Sequence, residues 1–450
     1  MSEKARTALW IVLLMVLSTA LSFYYQSNQW VSGDQWQMLN KGLKAAIEGI
    51  YLPYGNEAST VGNVPGSLSS FVIGWPLSLW FDPYAPVVFL QIIRMAGFLL
   101  FVNAISKIFS PRTVLAGAVI YALNPWFLYD SLVYNPSYLS FGAALVLNMI
   151  VRLKREEVTE KKPSFIYTFI CSMFLTLGAG WCMQLHFSWP VLVALTGILW
   201  LMRGIRFNFA GAALGLVIIG ISLIPYYQET LVNEYITSNP EEYAKERYFG
   251  YGLVHVYPLF KALMYWLRFG SLLVTKKTLI PELGADAAWY QDVLYYAYLV
   301  FTQGIGVITV VISAVINCKL IFRARRSRRP EVRFVRALTI SCILALLLAA
   351  AAATLTLNYW QIIILFCFAL MPILSAVESR PLSGRVLAAL AALMVVLNLV
   401  SATSSDKFSI NADYSAAFYQ HCINLYDGPK CHLTEAQTEY YQNLHLPEGH

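Results

Sequence analysis

The groups best placed to do chemistry in this 450-residue chain are a few polar residues set into long apolar sequence. Asp34 lies in "QWVSGDQWQMLNKGL", a glycine-preceded turn just after the first hydrophobic run. A carboxylate in a partly dry setting can take a proton from a hydroxyl. The cations come next. Arg94 interrupts the apolar run "QIIRMAGFLLF", and Arg247, Lys261 and Arg268 share the aromatic-rich segment 233–277. Guanidinium and ammonium groups stabilise phosphate through charge-assisted hydrogen bonds, so these four are candidates for gripping a lipid-borne phosphate. Glu57, Asn63, Asp130, Asn135, Gln184 and His186 are candidates for contacting substrate.

Each of these has a plainer role open to it. Asp34 precedes a helical pattern and would suit an N-cap. Arg94, in lipid, would cost roughly 3 kcal/mol or more, so it faces a cavity or a partner, or else snorkels to an interface. His186 would serve equally as a structural hydrogen-bonder. The segment 233–277 reads equally as an interfacial aromatic belt with basic anchors.

The elements that hold these residues follow from composition. At 58% hydrophobic, 13% charged and a mean hydropathy of +0.56, the chain is an integral membrane protein. The net charge of +7 does not point to nucleic acid, because the basic residues sit in short clusters between apolar runs, as in cytoplasmic loops. The start "MSEKARTALWIVLLMVLSTALSFYYQ" ends in aromatics rather than a small-residue cleavage site, so it reads as a retained first span.

Basic clusters at Lys4/Arg6, Lys107/Arg112, 152–162, Arg203/Arg206, 319–336 and Arg380/Arg385 can all face the cytoplasm at once. This requires about eleven crossings, N-terminus in and C-terminus out. The spans are read as 8–25, 84–107, 112–130, 137–152, 164–181, 184–202, 207–227, 290–318, 337–356, 359–377 and 386–403. Segment 66–81 contains Pro76 and is short, so it is re-entrant or interfacial. The fold class is therefore an all-α polytopic membrane protein. Residues 1–403 form the membrane domain, with outer loops 26–83 and 228–289, and residues 404–450 form a small outer cap.

In the first outer loop, Trp36, Leu39, Leu43 and Ile47 recur at helical spacing, with Lys41, Lys44 and Glu48 off the stripe. That pattern describes a helix lying in the membrane interface. The next residues, "GIYLPYGNEASTVGNVPGSLSS", form a shaped Gly/Pro loop. Of the seven cysteines, five lie in or beside apolar runs as small core residues. Cys422 and Cys431 share the polar tail and pair as a disulfide if it meets an oxidising compartment, or else stay free. No spacing fits a zinc site.

The order of first span, outer acid, amphipathic helix, Gly/Pro loop and apolar segment resembles the bacterial members of the GT-C class of membrane glycosyltransferases. These include the protein mannosyltransferase-like and aminoarabinose transferase-like enzymes. The resemblance covers about residues 1–200, carried by Asp34, Arg94 and "NPWFLYDSLVYNPSYL" at 124–139. Beyond that only the eleven-helix plan is shared. There are departures: Gln35 stands where many relatives have a second acid, and "NVPG" (63–66) where many have a His-Pro-Pro-Gly-like step. Neither Asn135 nor Ser137 is an acid; Asp130 is the nearest one.

The resemblance implies an inverting transfer of a sugar from a polyprenyl-phosphate donor to a glycan, lipid or protein acceptor. The site would lie at the outer face of the bacterial cytoplasmic membrane, with Asp34 as the base. The resemblance fixes no cofactor; a divalent metal is left open. An O-antigen ligase or polymerase would be expected to carry its large outer loop late in the chain. A transporter or flippase would show repeats and interrupted helices meeting at the midplane. Here the unusual residues gather at one membrane face instead.

Overall fold

The computed structural model is almost wholly helical, with one two-stranded hairpin. It describes residues 3–28, 33–57, 62–155, 163–233, 236, 256–272, 288–324, 327–353, 356–402 and 413–444. The chain begins with α1 (Glu3–Ser27), α2 (Asp34–Glu48), strands β1 (Tyr54–Glu57) and β2 (Asn63–Pro65), α3 (Leu68–Leu79) and α4 (Tyr84–Ile105). Then come α5 (Pro111–Ala122), the short α6 (Pro125–Tyr129), a 3-10 turn over Asn135–Tyr138 and α7 (Leu139–Arg152). Helices α8 (Phe165–Met183), α9 (Pro190–Leu201), α10 (Phe209–Ser222) and α11 (Ile224–Thr230) follow. After them lie α12 (Val256–Phe269), α13 (Trp289–Cys318), α14 (Pro330–Ala352), α15 (Tyr359–Ser379) and α16 (Gly384–Ser401). The polar tail forms α17 (Tyr414–Leu425) and α18 (Glu435–Asn443).

Seven described helices, α1, α4, α8, α13, α14, α15 and α16, are long and apolar enough to cross a membrane; α10 and α11, bent by 48°, together make an eighth. This is a multi-pass membrane protein. The expected eleven are not reached by that measure, because the segments read as 112–130, 137–152 and 184–202 hold helices of 12, 14 and 12 residues. Twelve residues rise only ~18 Å, against a hydrocarbon core ~30 Å thick. Pro125 ends the first early, since the residue before a proline is driven out of helical conformation. Asn124 there is extended, and its side chain accepts from Trp126 N at 2.9 Å to cap α6.

Segment 66–81 is α3, 12 residues with Pro76 inside, too short to cross, and it lies against α2. Two glycines let the backbones approach: a Cβ on Gly42 would sit 2.2 Å from Ile73 Cγ2, and one on Gly74 2.4 Å from Ala45 Cβ. Small residues serve helix contacts in membranes in this way. Gly74→Val should therefore cost about 1–3 kcal/mol through overpacking, read as a lower unfolding midpoint in detergent and less monodisperse protein. A wild-type midpoint would show that the contact is soft.

The stripe on α2 is as read: Leu39 and Leu43 are buried, and Trp36 and Ile47 are partly buried. Lys41 is not. Expected off the stripe, it is only 7% exposed, because the β-hairpin covers that side of the helix as well as α3 covering the other. Segment 233–277 also departs from a belt lying on the surface, where it is described. Trp266 and Phe269 of α12 are buried, Trp266 Nε1 donates to Asn317 Oδ1 at 3.1 Å, and Asn124 Nδ2 donates to Phe269 O at 3.2 Å.

The tail docks on the first loop. His421 packs at a tilt against Trp36 with ring centres 4.0 Å apart, and His432 stacks on Phe81 at 4.4 Å. Tyr426 OH donates to Glu48 Oε1 at 2.8 Å. Burial holds the His421 pKa down to about 4, so a neutral ring faces Trp36. Cys422 and Cys431 are buried and form a disulfide. Its removal should cost about 2–3 kcal/mol on the loop-entropy view, measured as a lower unfolding midpoint of a C422S/C431S protein. Equal midpoints with and without reductant would mean that docking alone holds the tail.

Candidate active site around Asp34

Gly33, at φ +46°, occupies the N-cap position of α2, and Asp34 is the first helical residue. The capping role considered for Asp34 is thus taken by a residue with no side chain. Asp34 is half-buried, and its own main-chain carbonyl accepts from Asn56 Nδ2 at 2.8 Å. Glu57 N donates to Gln37 Oε1 at 2.7 Å. The hairpin, paired Tyr54 with Pro65 and Glu57 with Asn63, therefore pins the first turn of α2.

Asn63 closes the hairpin from within, its Nδ2 donating to Gly55 O at 3.0 Å. Its carbonyl accepts from Tyr226 OH at 3.4 Å. Gly66, at φ +94°, leaves room that Gln184 fills: a Cβ there would sit 2.4 Å from Gln184 Oε1. Gln184 Nε2 in turn donates to Ser222 Oγ at 2.9 Å. Asn135 Nδ2 donates to Leu185 O at 3.0 Å, and His186 Nδ1 accepts from Ser188 N at 3.1 Å. Asn63, Asn135 and Gln184 are thus gathered at the Asp34 end as ties between segments, while His186 bonds within its own turn. Glu57 is exposed beside them.

Arg94 is wholly buried. One Nη donates to Ser22 Oγ at 2.8 Å and Gln91 Oε1 at 2.7 Å, and the other to the Phe127 carbonyl. Its guanidinium lies 3.9 Å from the Phe127 ring centre. It joins α1, α4 and α6 as a clamp, an arginine that meets protein partners rather than snorkelling to an interface. Asp130, the first residue past α6, is 3% exposed and feels the Arg94 charge; among the described residues its Oδ2 meets no hydrogen-bond donor.

Tyr134 feels the charge of both acids. Burial drives its hydroxyl well above the usual phenol range, and Tyr359, Asp34, Asp130 and Tyr25 around it add to the rise. Aromatic rings continue that wall: Trp126–Tyr359 at 5.2 Å, Tyr25–Tyr129 at 6.1 Å and Tyr265–Tyr359 at 6.4 Å. Beyond it Arg268 lies 4.9 Å over Trp126. Lys261 Nζ donates to Asn358 Oδ1 at 2.6 Å and Thr356 Oγ1 at 3.2 Å. Both cations are half-buried. Arg247 lies outside the described residues.

Two residues at this end had no signal marking them. Lys41 stands seven residues after Asp34, on the same helix face. Its Nζ donates to Gln37 O at 3.3 Å and lies 5.9 Å over the Tyr54 ring. Burial lowers its pKa to about 8, against a partial lift from Glu57. Tyr359 follows the α14–α15 connection, 325 positions from Asp34, and only folding brings it here. Among the described residues, no three His, Cys, Asp or Glu side chains form a metal-ligand set.

No family model matches the chain, and no curated protein matches it. Solved structures do. The structure of ArnT from Cupriavidus metallidurans bound to undecaprenyl phosphate matches at TM-score 0.50 and 13% identity, over 92% of this chain and 68% of that one. Its apo state matches at 0.49, with the same identity and coverage. The archaeal oligosaccharyltransferase AglB from Archaeoglobus fulgidus gives 0.40 at 11% identity, over 92% and 56%. This chain is thus a multi-pass helical membrane protein with the fold of the ArnT structure, the GT-C architecture that its first 200 residues resemble.

Proposed function

We propose that this chain transfers a sugar from a polyprenyl-phosphate donor to an acceptor hydroxyl at the outer face of the membrane. The observation that carries the reading is Asp34: a half-buried carboxylate on the first turn of an interfacial helix, with Asn56 fixing its backbone and its charge felt at Tyr134. Asp34 takes the acceptor proton as the acceptor oxygen attacks the anomeric carbon. The bond from that carbon to the phosphate oxygen breaks, and polyprenyl phosphate leaves with the electron pair. A single displacement of this kind inverts the anomeric centre.

The departing phosphate needs a cation. Lys41 on α2, and Lys261 and Arg268 across the aromatic wall, are the three to supply it. Arg94 acts through Asp130 and α6 by holding them in place. ArnT is a fold relative solved with undecaprenyl phosphate, which supports a lipid-phosphate ligand for this site.

The test compares cells with and without the gene by mass spectrometry of surface glycolipids and polyprenyl-phosphate sugars. Loss of one glycan modification, with a polyprenyl-phosphate sugar accumulating, is expected. Unchanged pools of both would reject the reading. Thiol labelling from outside should reach a cysteine placed at Glu57 and not one at Arg326; the reverse would put Asp34 on the wrong face.

A further inference from the structure

At the end of the bundle away from Asp34, the link between α7 and α8 meets the link between α9 and α10. They form an isolated antiparallel bridge, Lys154 opposite Ile205. Arg155 N donates to Gly204 O at 3.0 Å, and Arg206 N to Leu153 O at 2.8 Å, which locks the pair. Alternation along extended chain sends the fully buried Ile205 to one side. Arg155 and Arg206 therefore share the other side, on the diagonal where long side chains reach one another. Arg155 Nε donates to Ile205 O at 3.2 Å. That bond fixes the guanidinium and leaves its two Nη groups for another acceptor. Like charges placed this way repel unless an anion lies between them.

The two arginines line an open cavity of about 420 Å³, completed by Pro163, Thr168, Phe207 and Asn208, with no carboxylate among the described lining residues. Two long helices start at it. Ser164 caps α8, and Asn208 caps α10; Asn208 Nδ2 also donates to Thr168 Oγ1 at 3.2 Å, joining the two starts. Two positive helix ends and two guanidinium groups thus converge on one space. Next to it Phe165, Ile166 and Phe209 are 66%, 69% and 64% exposed. This is an apolar rim at the edge of a membrane-spanning bundle.

We propose that this cavity binds the phosphate of an anionic membrane lipid, with Arg155 and Arg206 as the fork and the acyl chains along Phe165, Ile166 and Phe209. A basic loop that only sets topology needs charge but no shape. Here the shared face, the cavity and the apolar rim coincide, which is what a phosphate with chains attached would use.

The test titrates phosphatidylglycerol into the full-length protein in phosphatidylcholine nanodiscs and counts retained lipid by native mass spectrometry. Wild type should retain one saturable phosphatidylglycerol, and the R155A/R206A protein should hold it at least about tenfold more weakly. R155K/R206K should recover only part, because a point charge lacks the fork. Displacement by inorganic phosphate would make the free anion a ligand of the same fork; no displacement would assign the site to the headgroup. Either result stands with the proposal. No saturable phosphatidylglycerol in wild type, or equal retention by a folded R155A/R206A protein, overturns it. Turnover at Asp34 is a separate readout, so failure here leaves the transferase reading intact.

Discussion

Asp34→Asn should lower turnover about 100-fold or more, with yield and unfolding midpoint close to wild type. Asparagine keeps the size of the side chain and loses the base. The structure sharpens the contrast between this and a purely structural Asp34. Because Gly33 is the N-cap, neither Asn nor Ala at Asp34 removes a cap. What either loses is the carboxylate's favourable place at the positive end of α2, worth about 0.3–1 kcal/mol. Both variants should therefore fold normally and both should be inactive. A fully active Asp34→Asn protein would end the claim for Asp34 and turn attention to Glu57 and Asp130.

Lys41→Met should make the protein more stable and less active. The buried ammonium is 7% exposed and its pKa falls from 10.5 to about 8. Between those values the unfolded chain holds a proton that the folded protein has released. Stability therefore rises with pH across that window, and the whole penalty is present below about pH 8. At 1.36 kcal/mol per pH unit it amounts to about 3 kcal/mol. Methionine fills similar space without the charge, so its midpoint at pH 7 should rise and the slope between pH 8 and 10.5 should flatten. A site that carries such a cost for function should lose turnover with the lysine, and wild-type turnover should decline as pH passes about 8. If Lys41→Met is both stabilised and fully active, Lys41 has no part in the reaction. An unchanged pH slope would show instead that the ammonium is better solvated than its burial indicates.

Composition alone places the chain in a membrane, because 58% hydrophobic residues cannot be hidden in a soluble core. The sequence also determined which parts stand apart from the spans. The α2 stripe, the short Pro-containing α3 and the polar tail each differ from their surroundings in periodicity, length or composition, and those are local properties. Asp34 was legible for the same reason: one acid after a long apolar run needs no neighbour to be noticed.

Other features were decided by tertiary structure alone. Whether an apolar segment becomes one long helix depends on breaks such as Asn124–Pro125, which hydropathy averages over, so the count of long spans fell below eleven. The stripe on α2 assumed one buried face, but the hairpin and α3 cover two, and Lys41 was buried as a result. The partners of Arg94 could not be named in advance, because sequence does not show that Ser22, Gln91 and the Phe127 carbonyl converge on it. Arg155 and Arg206, 51 positions apart, share a face only through a bridge between two loops. Charge and hydropathy are written residue by residue along the chain. Which charges end up enclosed, paired or aimed at the same space is set by contacts between distant segments, and those exist only once the helices have packed.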